Sequence, residues 1–173
     1  MMRARFSRGF TLVEVVLAVG VFAVTIVGLL ALLTPTAKST AEISDYARAS
    51  ALGDGIQGEL ERLRDANVGA GRLDALHDVV AANTPLKLVA SADATRVLRE
   101  SDAVAAGLSE RDWHFLIEIR EQPAPLNYTA GAAFLALTAT VKWPYKIPSG
   151  ETDVTDADLT QASSLMLNFA ISP

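Results

Sequence analysis

The sequence predicts an α+β fold: a long N-terminal helix, apolar in its first half and amphipathic in its second, then an antiparallel sheet. Three observations predict it. Residues 15 to 33 contain no charged side chain. From Ile43 to Leu63, apolar residues recur at steps of three and four. Farther along, three segments alternate in the two-residue period of strands.

The apolar run is the strongest of these signals. Between Val15 and Leu33 the only polar side chain is Thr25. Nineteen residues at ~1.5 Å each span ~29 Å, close to the ~30 Å hydrocarbon core of a bilayer. Arg3, Arg5 and Arg8 precede the run, and only Lys38 closely follows it. The positive-inside rule then places the N-terminus in the cytoplasm and the rest of the chain across the membrane. A cleaved secretory signal has a shorter core, ~7–15 residues, and a small-x-small site that "LLTPTAKS" matches only weakly. Glu14 sits at the head of this run, where an ionised carboxylate needs a partner or a proton.

Pro35 is expected to kink or interrupt the helix at the membrane surface. Beyond it, Ile43, Tyr46, Ala49, Leu52, Ile56, Leu60 and Leu63 form one stripe. Asp45–Arg48, Glu59–Arg62 and Glu61–Arg64 are spaced as i,i+3 ion pairs on the opposite, wet side. Gly53, Gly55 and Gly58 each cost about 1 kcal/mol of helix propensity, so this half needs a sheet to pack on. "NVGAGR", residues 67 to 72, ends the helix.

Residues 73 to 82 read as a short helix, and "LKLVAS" and "RVLRE" as a small hairpin around "ADAT". "WHFLIEIRE" (113 to 121), "AFLALTATVKW" (133 to 143) and "SLMLNFAI" (164 to 171) read as longer strands. Their apolar faces would cover the stripe.

Charge and composition narrow the function. The formal net charge is −5, and the portion after the three leading arginines is more acidic still. Phosphate binding needs a basic face, so nucleic acid is not an expected partner. Without cysteine, thiolate catalysis, disulfides and Cys-ligated zinc are excluded. His77 and His114 lie far apart, and neither has the ligand spacing of an HExxH helix, so both read as surface histidines. With no nucleophile motif or phosphate loop, an enzyme is not expected and no cofactor is required. The run "SGETDVTDADLT" gathers Glu151, Asp153, Asp156 and Asp158, weak candidates for calcium that lack EF-hand spacing. The plainer reading of such a run is solvated charge.

"RGFTLVE" brings these features together. A short basic leader ends in Gly9, Phe10 follows, and Glu14 is the fifth residue from Phe10 at the start of an apolar helix. This pattern resembles the N-terminal signal of type IV pilins and type II secretion pseudopilins, over roughly the first fifth of the chain. The downstream stretch "VKWPYKIP" more loosely resembles minor-pilin-like proteins called Verru_Chthon cassette protein B.

The resemblance implies a pilin-like fold and four segments. They are a leader (1–9), a transmembrane and assembly half-helix (10–34), an amphipathic half-helix (35–67) and a globular head (68–173). It also implies a prepilin peptidase that cuts between Gly9 and Phe10 and methylates Phe10. The implied location is the bacterial inner membrane and then a filament of other pilin or pseudopilin subunits. In such a filament the new amine of Phe10 on one subunit would meet Glu14 of a neighbour. Some major pseudopilins hold calcium in a comparable C-terminal loop. One departure is that the helix-distorting proline many family members carry near the position of Ala31 stands here at Pro35. The competing expectation is a single-pass anchored binding domain that forms no filament and has no need of cleavage.

Overall fold

The computed structural model describes residues 11–66, 71–83, 85–150 and 153–173. Gly9, Phe10 and the three leading arginines lie outside the described residues. The fold is α+β, with an apolar N-terminal helix and an antiparallel sheet. Helix α1 (Leu12–Asp65) contributes to two compact units, which divide between Ile43 and Ser44.

In the first unit, Leu12–Leu32 is apolar enough to cross a membrane, and none of it is buried. The expected break at Pro35 is absent, because α1 continues through it. Proline cannot donate to the carbonyl four residues back, that of Ala31, and the hydroxyls nearby bond other helix carbonyls. Thr36 Oγ1 donates to Leu32 O at 3.0 Å and Thr40 Oγ1 to Thr36 O at 2.9 Å.

The second unit is built on the rest of α1. Helix α2 (Arg72–Ala82) is followed by strands β1 (Leu86–Ser91) and β2 (Val97–Arg99), then by the short helix α3 (Glu100–Ala103). A 3-10 turn, Glu110–Asp112, leads into β3 (Trp113–Glu121) and β4 (Leu135–Trp143). The small hairpin β5 (Lys146–Pro148) and β6 (Val154–Asp156) precedes β7 (Ser163–Ile171). The main sheet runs β2-β1-β3-β4-β7, antiparallel throughout, and β5–β6 pair apart from it.

Register explains the core. Leu88 faces Ile117, Ile117 faces Val141, and Val141 faces Leu165, so one row of side chains crosses four strands on one face. Leu86, Ile119, Ala139 and Leu167 form the next row. The period of two puts every member on the same side. Ala49, Leu52, Ile56, Leu60 and Leu63 of α1 join this face in a single cluster, with Leu73, Leu76 and Val80 of α2. The stripe therefore starts nearly two turns later than its spacing suggested, at Ala49 rather than Ile43. Ile43 is 68% exposed and Tyr46 is 54% exposed, although the Tyr46 ring meets Trp143 edge-on at 6.5 Å.

Of the three charge pairs expected on the wet side, two form. Asp45–Arg48 is a loose contact at 3.5 Å. Glu59 takes both Nε and an Nη of Arg62 at 2.7 Å, but Glu59 is buried rather than wet. Arg62 also approaches Asp102 of α3 at 3.8 Å, so α3 lies against that side of the helix. The Glu61–Arg64 pair is replaced. Arg64 holds Asp65 at 2.9 Å and donates to Ser172 O at 2.7 Å, while Glu61 accepts from Gln57.

Gly55 has a packing reason to be small. A Cβ there would stand 2.8 Å from Val97 Cγ2, so the glycine lets β2 approach the helix.

Candidate functional site

Glu14 is the only charged residue within the apolar helix Leu12–Leu32. It lies in the first turn and is exposed. Thr11 immediately precedes the helix. Its backbone N–H and Oγ1 both lie 3.4 Å from Glu14 Oε2, and Glu14 N–H donates to Thr11 Oγ1 at 3.3 Å. This is the reciprocal capping box of a T-x-x-E sequence, with long bonds. Carboxylate and hydroxyl here satisfy N–H groups that a helix start leaves without partners. The negative charge also sits at the positive end of the helix dipole. Thr11 was open to sequence reasoning through that spacing, which "TLVE" contains.

Glu14 thus has a role within its own chain. The bonds are long and exposed, so the carboxylate stays accessible to a stronger donor such as an ammonium group. Around it, Leu12, Val13, Val16 and Leu17 are all exposed and apolar. Thr25 adds no free polar group to the run, since its hydroxyl bonds Val21 O at 2.8 Å. The helix surface offers hydrocarbon contact and one anionic group at one end.

The acidic run does not converge among the described residues, and no group of three potential metal ligands is found there. Glu151 lies outside the described residues. Asp156 accepts from Lys146 Nζ at 2.5 Å across the β5–β6 hairpin. Asp158 accepts from the hydroxyl and backbone N–H of Thr160 at 2.6 and 3.0 Å, which holds its carboxyl below the usual range. Asp153 lies next to β6, and its carbonyl accepts from Ser149 N–H at 3.0 Å. Asp156 and Asp158 are thus held by different partners, Lys146 and Thr160, a feature that a run of charges in sequence does not reveal.

The histidines are half-buried structural groups rather than freely solvated ones. His77 stacks on Tyr128 with ring centroids 5.0 Å apart, and its Nε2 is 3.3 Å from Glu121. Tyr128 in turn donates its hydroxyl to Asp74 at 2.8 Å and its backbone N–H to Glu121. Together these contacts fasten the loop after β3 to α2. His114 Nε2 lies 3.4 Å from Asp45 Oδ2, at the end of α1's buried segment.

The far face of the sheet carries a second, smaller core that sequence reading did not anticipate. Val89, Leu116, Trp113 and Tyr145 pack there with Ala103 and Leu108. Trp113 and Tyr145 lie nearly parallel, 6.2 Å apart, and Lys146 Nζ sits 5.1 Å from the Tyr145 ring. Tyr145 donates its hydroxyl to Glu100 at 2.7 Å. Burial, reinforced by that carboxylate, pushes the Tyr145 pKa well above its ordinary value.

The sign of the resulting pH dependence follows from linkage. With its folded pKa above the unfolded value, the phenol contributes stability that is complete below the unfolded pKa. That contribution is lost as pH rises toward the folded pKa. The urea midpoint should therefore decline above about pH 10, and Tyr145→Phe should decline less steeply over the same range. Parallel curves for the two proteins would remove Tyr145 as the cause.

Compared with known proteins, the chain matches no family model, no curated protein and no solved structure.

Proposed function

We propose that this protein is a structural, minor subunit of a type IV pilus or a type II secretion-like pseudopilus. It is processed after Gly9 and assembles through its N-terminal helix. The observation that carries this reading is the coincidence of "GFTLVE" with an unburied apolar helix whose only charge is Glu14. An α+β head whose sheet covers only the later part of α1 supports it. The core takes α1 residues from Ala49 onward and leaves Leu12–Leu32 without cover inside the chain. Lipid covers such a surface before assembly, and neighbouring helices cover it afterwards.

The partners in this reading are a prepilin peptidase, other pilin or pseudopilin subunits and the inner membrane. The N-terminus is cytoplasmic and the head extracytoplasmic. Contacts between copies are head-to-tail and do not close, which makes filaments rather than rings.

One observation favours a second reading, a single-pass anchored binding domain that forms no filament. The Thr11–Glu14 box accounts for the glutamate without any neighbour. Processing separates the two. Mass spectrometry of membrane-extracted protein from cells with active peptidase should find a chain starting at N-methylated Phe10. Gly9→Val should keep the leader. An intact leader on the wild-type protein would sink the pilin reading and leave the anchor.

A further inference from the structure

A cavity of about 190 Å³ lies at the β2 edge of the main sheet, between the end of α2 and the start of α3. Pro85 and Leu86 give it an apolar wall, and Lys87, Arg99 and Glu100 give it charge. The three charges differ in how far they are already matched. Glu100 accepts from the Tyr145 hydroxyl at 2.7 Å and stands 3.9 Å from Lys87 Nζ. Among the described residues, the Arg99 side chain has no ion pair and no hydrogen bond, and its Nε is sealed from solvent without an acceptor. Its place in the register opposite Leu88 puts it on the core-side face of the sheet, on the edge strand, where the residue is partly buried.

A buried donor on a charged group is costly to leave unmatched. Elsewhere in the head, the arginines within reach of carboxylates use them, as Arg62 does with Glu59 and Arg64 with Asp65. Arg96, Arg111 and Arg120 also lack a carboxylate partner among the described residues, but of the described arginines only Arg99 has a nitrogen sealed from solvent without an acceptor, and it stands beside an open space.

We propose that this cavity is a binding site for a carboxylate. The formal charges of Lys87, Arg99 and Glu100 leave one positive charge, which matches a monoanion better than a doubly charged phosphate. The planar guanidinium suits a carboxylate through paired N–H donors. The space is below the usual range for drug-sized ligands, so it admits a carboxylate with a short substituent. Such a group comes either from a free small acid or from the C-terminus of a polypeptide.

Titration calorimetry on the full chain in detergent micelles, at matched ionic strength, tests this with three probes. They are acetate, a tripeptide with a free C-terminus and the same tripeptide as its amide. Acetate and the free tripeptide should bind saturably, and the amide should not. Tighter binding of the tripeptide than of acetate assigns the site to a chain terminus, and equal binding assigns it to a free acid. Arg99→Gln should weaken binding by roughly tenfold or more, and Lys87→Gln by less. Glu100→Gln should tighten it, because a competing carboxylate is gone while the amide oxygen still accepts from Tyr145. Arg120→Gln, exposed on β3 and outside the cavity, should change nothing. If Arg99→Gln does not fold, the opposite signs of Lys87→Gln and Glu100→Gln decide the matter. Absence of saturable binding, equal binding of the free tripeptide and its amide, or equal losses in Arg99→Gln and Arg120→Gln would overturn the assignment.

Discussion

Leu60→Asp should abolish cooperative folding of the head. Leu60 is fully buried in the cluster that joins α1 to the sheet. Removing it forfeits about 1.5–3 kcal/mol of apolar burial. Placing a carboxylate there adds several kcal/mol more, because the site lies inside an apolar cluster. Glu59 is adjacent in sequence, but Arg62 already holds it with two 2.7 Å bonds. The sum approaches the ~5–15 kcal/mol total stability of an ordinary domain. A chain beginning near Lys38 lets circular dichroism and melting read the head without the apolar run. The parent should melt in one step, and the variant should show none. Tyr46→Ala is the contrasting change. Its ring is half-exposed and makes one edge contact with Trp143, so it should cost only about 1 kcal/mol. If Leu60→Asp melts like the parent, the helix does not lie on the sheet in the way the burial of Leu52, Ile56 and Leu60 indicates.

Much of this core was legible because its elements obey simple periods. Phe115, Ile117 and Ile119 alternate in β3, and all three are buried on the face that meets α1. The same holds for Leu135, Leu137, Ala139 and Val141 in β4. β7 was legible too, although Leu165, Leu167 and Phe169 are only partly buried, as expected for an edge strand.

What escaped has physical reasons. The hairpin β5–β6 consists of two three-residue strands, too short for alternation to show. The Trp113–Tyr145 core depends on a chain reversal that brings residues 32 positions apart together, and each looks in sequence like an aromatic beside a loop. Glu59 reads as a surface charge until α3 lies beside its partner Arg62. Arg99 carries no sequence signal, since "RVLRE" does not say which arginine will have a nitrogen sealed from solvent without an acceptor. Pro35 reads as a break, yet α1 absorbs it. Local propensity is a weak prior where helix on both sides carries the chain through one missing donor.

Glu14→Gln and Glu14→Val, compared side by side, should separate the two roles the geometry allows this side chain. Glutamine keeps the shape and the oxygen of the capping box, so Thr11 N–H still has an acceptor. It loses the negative charge. Valine loses both, and the missing cap costs about 1 kcal/mol of helix start. If Glu14 serves only its own helix, Glu14→Gln should behave as wild type in every assay, and Glu14→Val should fray the first turn.

If Glu14 meets the Phe10 amine of a neighbouring subunit, both variants should fail together. Each should insert in the membrane at least as well as wild type, since a charge that is costly near hydrocarbon is gone. Each should still be cut after Gly9. Both should be depleted from sheared filaments by roughly tenfold or more, because a desolvated ammonium left without its carboxylate costs several kcal/mol. The measurement is the ratio of this protein in sheared filaments to that in the inner membrane. A ratio for Glu14→Gln equal to that of wild type would show that the charge makes no contact between subunits. Glu14 would then belong to the capping box alone, and assembly would rest on the apolar surface of Leu12–Leu32.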